Sequence, residues 1–139
     1  MREIFVDTSA WAAITDSKDR NHAAAVKFMQ QIARKSHLVI TDYILDEAYT
    51  LLLMNVGYTA AVSFKQKLAL MRRQNIVSVY WVNEPMAAQA WSIFEQFNQD
   101  KQWSFTDCVS YAVMKELGIT EAFTFDHHFS QMGLRRVPD

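Results

Sequence analysis

The chain has 139 residues, half of them hydrophobic, with three glycines, two prolines and a net charge of −1. This composition predicts a single compact domain over residues 1–139 and excludes a general electrostatic attraction to nucleic acid. One cysteine, Cys108, excludes an internal disulfide, and without a membrane-spanning apolar run or a signal peptide we expect a cytoplasmic protein.

The first predicted strand, Ile4–Val6, is apolar at every position and runs directly into Asp7, Thr8 and Ser9. A short run of this kind is typical of a strand buried on both faces, as in a parallel sheet. Asp7 then falls at the strand's C-terminal end, where open α/β sheets bind their ligands. A structural alternative remains, because Asp7 or Ser9 can simply cap the helix that follows.

Strand and helix patterns alternate along the rest of the chain. The predicted helices cover 10–14, 21–35 (with Asn21 as the cap), 42–56, 59–73, 84–98 and 105–117, and further strands cover 37–41, 76–82, 121–125 and 134–137. Strands separated by helices indicate an α/β fold, with a parallel sheet covered by helices on both faces.

Glu47 lies on a largely apolar stripe of its predicted helix, because its neighbours three and four residues away include Tyr43, Ile44 and Leu51. An ionised carboxylate in such a place is costly unless it is paired or binds a metal. A lysine or arginine partner is the alternative explanation.

Asp107 follows Ser104 by three residues at the start of a predicted helix, which is the spacing of a capping box. Capping alone explains this pattern. The same pattern also fixes Asp107 in the first turn of a helix that faces the strand ends.

Asp126 repeats the position of Asp7, since it follows a strand directly, and His127 and His128 come next. Both carboxylates are therefore expected at the same edge of the sheet. Adjacent histidines on a loop are usually solvated, because sequence neighbours rarely point the same way.

The acids Asp7, Glu47, Asp107 and Asp126 form a set of oxygen ligands without a cysteine–histidine pattern typical of zinc. Carboxylates suit Mg²⁺ or Mn²⁺. A pair of metal ions held by carboxylates can activate a water and stabilise the charge of an in-line attack on a phosphodiester.

Four stretches of the chain resemble, in order, the motifs of PIN domains. Residues Ile4–Trp11 resemble the opening motif, Asp-Thr-Ser followed by a hydrophobic residue. Thr41–Leu53, which contains Glu47, resembles the second motif, and Thr106–Leu117 resembles the third. Thr124–Asp126 resembles the fourth, whereas the paired histidines are not a requirement of this family.

The resemblance implies a three-layer α/β/α sandwich around a mainly parallel sheet of four to five strands. It implies a Mg²⁺- or Mn²⁺-dependent endoribonuclease whose metal is held by Asp7, Glu47, Asp107 and Asp126, with a hydroxyl of Thr8 or Ser9 ordering the site. Small stand-alone members are mostly VapC-type toxins, which commonly form homodimers and are blocked by a VapB-type antitoxin. The alternatives are a housekeeping RNA-processing PIN nuclease and a non-catalytic PIN-like protein that binds RNA or a partner.

Contacts to RNA are harder to assign from the sequence. Basic residues that could contact phosphates are Arg34, Lys35, Lys65, Lys67, Arg72 and Arg73, although such clusters usually form solvated helix faces. Trp11, Tyr43 and Tyr49 could line a groove, or they could pack in the core.

Overall fold

A computed structural model describes all 139 residues. Its five strands form one sheet in the order β3-β2-β1-β4-β5, and every neighbouring pair is parallel. The strands are β1 (Arg2–Val6), β2 (Ser36–Thr41), β3 (Val77–Tyr80), β4 (Glu121–Phe123) and β5 (Arg135–Val137).

Seven helices connect and cover the strands. They are α1 (Thr8–Thr15), α2 (His22–Ile32), α3 (Asp42–Asn55), α4 (Tyr58–Arg73), α5 (Glu84–Phe97), α6 (Phe105–Leu117) and α7 (His128–Gln131). No helix has both the length and the apolar character needed to cross a bilayer.

The central strand β1 explains the layered architecture. Ile4, Phe5 and Val6 are consecutive and have no exposed surface, although neighbouring side chains of a strand point to opposite faces. Both faces of the sheet are therefore covered, and the predicted three-layer α/β/α sandwich is confirmed. The buried apolar side chains form one continuous core of 33 residues.

Most predicted elements are confirmed, and α6 has the predicted bounds. It ends at Gly118, whose positive φ of 69° places it in the left-handed region that glycine adopts easily. The capping of α5 by Asn83 is also confirmed, because the Asn83 side chain accepts a hydrogen bond from the Met86 amide at 3.0 Å.

Several predicted features differ in the structure. Helix α2 stops at Ile32 because Ala33 is extended and Arg34 has a φ of 71°, and Asn21 makes no capping hydrogen bond through its side chain. Strand β3 stops before Trp81, which is 61% exposed. The predicted loop after Asp126 contains the short helix α7.

Strand β4 is also two residues shorter than predicted. Beyond Phe123, the amides of Phe125 and Asp126 donate to the side-chain hydroxyls of Ser9 and Thr124, each at 3.0 Å. The strand ends here because these backbone amides bond to side-chain oxygens and not to the carbonyls of a neighbouring strand.

Candidate active site

The candidate site lies where the strand order reverses. β1 has β2 on one side and β4 on the other. Strands β2 and β3 are therefore added on one side of β1, and strands β4 and β5 on the other side. The Asp7 amide donates to the Phe123 carbonyl at 3.0 Å, which brings the ends of β1 and β4 together. Crevices at such reversals are the usual ligand sites of open parallel sheets.

A cleft of about 290 Å³ opens at this point, and we call it the acidic cleft. All four acids singled out in the sequence line it together, as do both hydroxyl residues that follow Asp7. Its lining residues are Asp7, Thr8, Ser9, Glu47, Leu51, Gln102, Ser104, Asp107, Asp126 and His128.

The side chains of Thr124 and Ser9 hold the Asp7 carboxylate through one of its two oxygens. Its Oδ2 accepts hydrogen bonds from the Thr124 hydroxyl at 2.8 Å and the Ser9 hydroxyl at 2.9 Å, and the Ser9 amide approaches the same oxygen at 3.4 Å. Burial raises the pKa of Asp7 to about 6, although these hydrogen bonds oppose the rise. With the hydrogen bonds gathered on Oδ2, Oδ1 is available to a ligand in the cleft.

Asp107 is placed by the start of α6, but its carboxylate does not cap that helix. The cap is Ser104, whose hydroxyl accepts a hydrogen bond from the Asp107 amide at 3.0 Å. The carboxylate is 9% exposed and faces the cleft. Burial and the charge of Asp126 raise the pKa of Asp107, whereas His128 lowers it.

Glu47 projects from α3 into the same cleft and is half-buried. No lysine or arginine forms a salt bridge with it, so the alternative of a cationic partner is not found. Burial raises the pKa of Glu47, the Thr8 hydroxyl opposes this rise, and the charges of Asp107 and Asp126 add to it. The Thr8 hydroxyl itself is buried and forms no hydrogen bond of ordinary geometry.

Sequence reasoning missed two side chains at the site. Thr124 is 1% exposed and orients Asp7, and a lone hydroxyl between Phe123 and Phe125 was the signal that could have found it. His128 points into the cleft, with Nδ1 3.2 Å from Oδ2 of Asp107 and 3.3 Å from Oδ1 of Asp126. The interpretation as solvated fits His127 alone, whose side chain is 72% exposed.

A second cavity is linked to the acidic cleft through Thr124, which lines this cavity and donates a hydrogen bond to Asp7 of the cleft. This cavity, of about 490 Å³, is called here the basic pocket, and it is lined by Arg20, Asn21, Thr124, Phe125, Ser130, Arg135, Arg136, Pro138 and Asp139. None of the six basic residues suggested from the sequence lines either cavity. Trp11 is 3% exposed and belongs to the core.

The donor atoms of the acidic cleft suit a divalent cation. Its carboxylates are hard oxygen ligands, they raise one another's pKa values, and the buried Thr8 hydroxyl, which forms no hydrogen bond of ordinary geometry, adds one further oxygen. Donor atoms of Asp126, His127 and His128 lie within 4.8 Å of one another, but His127 is largely exposed and does not line the cleft, whereas His128 does.

Comparisons with known proteins agree on one family. The family model of the PIN domain matches residues 4–134. The 23S rRNA-specific endonuclease VapC20 of Mycobacterium tuberculosis is 36% identical over 135 residues, which is 96% of this chain and 97% of that protein.

Solved structures agree with this match. The crystal structure of M. tuberculosis VapC20, described as a Sarcin-Ricin loop cleaving toxin, aligns with a TM-score of 0.83 and 33% identity over 94% of this chain and 95% of its own. VapBC2 from Rickettsia felis aligns with a TM-score of 0.69 over 96% of each chain, but at 9% identity it supports the fold alone.

Proposed function

Because this chain belongs to the PIN domain family, we propose that it is a metal-dependent endoribonuclease and the toxin of a VapBC-type toxin–antitoxin pair. The observation that carries the proposal is the convergence of Asp7, Glu47, Asp107 and Asp126 on one cleft. These acids come from the end of β1, the middle of α3, the first turn of α6 and the segment after β4. Four buried or half-buried carboxylates without a lysine or arginine partner are costly, and a bound cation would relieve that cost.

In this proposal the four acids hold Mg²⁺ or Mn²⁺, which when bound would activate water and stabilise charge on the phosphate. The chain's own residues do the positioning. Thr124 and Ser9 fix the Asp7 carboxylate, Ser104 fixes the helix turn that carries Asp107, and the rigid α3 presents Glu47. These hydrogen bonds from hydroxyl groups hold the carboxylate ligands in position before the substrate binds.

The substrate is RNA, and ribosomal RNA is the first substrate to test. A relative that is 36% identical over almost the full length is named as a 23S rRNA-specific endonuclease. The basic pocket suits the RNA backbone, because Arg20 forms no salt bridge and Arg136 bonds only to the Ser130 hydroxyl through Nε. A phosphate bound there would place the adjoining backbone over the acidic cleft.

A partner protein follows from the same role, since a toxin must be restrained in the cell that makes it. We propose that an antitoxin covers the acidic cleft with a basic segment, because the uncompensated carboxylates attract positive charge. The homodimer stays a prediction. Exposed apolar side chains between the end of α3 and the start of α4 offer it a surface: Leu53, Met54, Val56, Tyr58 and Val62.

The test of the nuclease is cleavage of purified ribosomal RNA by the wild-type chain. We expect cleavage at a few positions with Mn²⁺ or Mg²⁺, none with EDTA, and none from Asp7→Asn, which removes one carboxylate charge. Equal cleavage by wild type in EDTA would contradict metal dependence. Binding of RNA without cleavage would favour the non-catalytic alternative.

The toxin role needs a separate test in cells. Wild-type expression should arrest bacterial growth, Asp7→Asn should not, and co-expression of the neighbouring gene product should restore growth and yield a stable complex. A chain that cleaves RNA in vitro but is harmless in cells would favour a housekeeping nuclease.

A further inference from the structure

His128 occupies a defined place between two of the acids. Its imidazole Nδ1 lies 3.2 Å from Oδ2 of Asp107 and 3.3 Å from Oδ1 of Asp126, and its side chain is 22% exposed. Two features fix this position: the His128 amide donates to Asp126 Oδ1 at 2.9 Å, and the next residue, Phe129, has no exposed surface. The imidazole is therefore held in the cleft by α7.

In the metal-free site, the contact between Nδ1 and Asp107 is a hydrogen bond, and the same separations also match those of ligands around one small cation. Ligands at about 2.1 Å from an octahedral ion lie about 3 Å apart when they are adjacent. Nδ1 lies at such a distance from one oxygen of each acid, without any movement of the backbone. The Thr8 hydroxyl is buried beside Glu47 in the same cleft and forms no hydrogen bond of ordinary geometry, which is a second feature that suits a bound cation.

Resting on the proposed function, we propose that His128 Nδ1 is itself a ligand of the metal, next to Asp107 and Asp126. The site then mixes nitrogen with oxygen donors. Both ions favour oxygen, but Mn²⁺ accepts an imidazole nitrogen more readily than Mg²⁺ does, so His128 biases this site toward Mn²⁺ over Mg²⁺. This nitrogen ligand lies outside the set of four acids that the PIN resemblance implies.

His127 supplies a matched control. It is the same residue type one position earlier, yet its side chain is 72% exposed and its Nδ1 lies 3.8 Å from Asp126 Oδ1. Removing it deletes an identical ring at the edge of the cleft while His128 keeps both acid contacts.

A different role for His128 predicts the opposite change in metal affinity when the ring is removed. If its ring acted as a positive counter-charge that occupies the metal's place, removing it would strengthen the binding of both metals. If it is a ligand, removing it weakens Mn²⁺ binding.

The experiment measures Mn²⁺ and Mg²⁺ dissociation constants of the RNA-free full chain by titration calorimetry, at a pH above the ordinary histidine pKa. We expect His128→Ala to weaken Mn²⁺ binding about tenfold or more, with a far smaller effect on Mg²⁺. His127→Ala should match wild type. Pulsed EPR of bound Mn²⁺ should detect nitrogen coupling in wild type and His127→Ala but not in His128→Ala or His128→Gln.

The outcomes separate this inference from the function on which it rests. Metal binding without nitrogen coupling in wild type would overturn the inference and leave the carboxylate site standing. Unchanged or tighter Mn²⁺ binding in a folded His128→Ala protein would overturn it too. A wild-type chain that binds neither metal would overturn the proposed metal site as a whole.

Discussion

Asp7 illustrates how one residue serves structure and chemistry together. The sequence left open whether it caps α1 or binds a ligand, and its geometry allows both. Its Oδ2 takes the hydrogen bonds of Ser9 and Thr124, while the residue lines the acidic cleft. Burial raises its pKa to about 6, so the charged form that metal binding needs destabilises the metal-free fold at neutral pH.

Replacing Asp7 by asparagine tests this cost directly. The amide oxygen can still accept from Thr124 and Ser9, but the buried charge is gone. We expect the free energy of unfolding in EDTA at neutral pH to rise by up to about 3 kcal/mol, which is the rise from the ordinary 3.8 to about 6 converted to energy. Urea denaturation measures it, with the exposed Glu116→Gln as a control that should leave stability unchanged. A clear loss of stability in Asp7→Asn would contradict the argument.

At the scale of elements, the first turn of α6 assigns helix capping and a place in the cleft to different groups, although the sequence pattern allowed both for Asp107. The Ser104 hydroxyl caps the helix through the Asp107 amide, which any residue at position 107 provides. The Asp107 carboxylate faces Asp126 and His128 instead. The capping-box pattern therefore predicted the position of Asp107 correctly, but by itself it explained only a capping role for the side chain.

Two substitutions in this turn should have opposite effects. Ser104→Ala should lower the free energy of unfolding by about 1 kcal/mol, because the helix loses its cap. Asp107→Asn should keep stability but lower RNA cleavage by more than about 100-fold, because the cation loses a charged ligand. Thermal unfolding and single-turnover cleavage, measured on both proteins, give the comparison. Normal turnover by Asp107→Asn would restrict this residue to a structural role.

At the scale of the whole molecule, a net charge of −1 conceals a strong separation of charge. Thr124 lines the basic pocket and donates to Asp7 of the acidic cleft, so the negative and positive surfaces are close to each other. Such an arrangement directs a polyanion toward the arginines and a cation toward the acids. The average charge of the chain is therefore a poor guide to how it binds RNA.

Arg20→Ala and Arg136→Ala test the basic pocket. Each should raise KM for RNA while leaving kcat nearly unchanged, because the lost phosphate contact is not made by a residue of the acidic cleft. The slope of log affinity against log salt should fall by about 0.7 per lost contact, as for single-stranded nucleic acid. Lys67→Ala, an exposed lysine outside both cavities, is the control. A lower kcat with unchanged KM would place these arginines in another role.

The pH dependence of stability is a property of the whole acidic cleft. Burial raises the folded-state pKa values of Asp7, Glu47 and Asp107. A carboxyl group with a raised pKa stabilises the fold while it is protonated, so its contribution is full below the unfolded pKa and is lost as pH rises through the folded pKa. In EDTA, the Tm should therefore fall as pH rises through about 6.

Saturating Mn²⁺ should reduce or reverse that fall, because the cation binds the ionised native state. Differential scanning fluorimetry across this pH range, with EDTA or Mn²⁺, measures both curves. Asp7→Asn should flatten the curve in EDTA. A Tm in EDTA that rises steadily through this range would contradict the raised pKa values.

The sequence by itself determined the architecture and the identity of the acids. Consecutive apolar residues of a strand, such as Ile4–Val6, can all be buried only when both faces of the sheet are covered, and the acids after β1 and β4 follow strand ends in a parallel sheet. These are local patterns, and local patterns can be read from the order of residues.

Tertiary structure alone decided which side chains meet. Asp7 and Thr124 are 117 residues apart and join only because β1 and β4 are neighbours in the sheet. His127 and His128 look alike in sequence, and the direction of the short helix α7 decides that one faces solvent and the other faces Asp107. Arg20 and Arg136, which are distant in sequence, likewise line one pocket only because the fold brings them together. Contacts between distant residues depend on strand order and helix direction, which no local pattern contains.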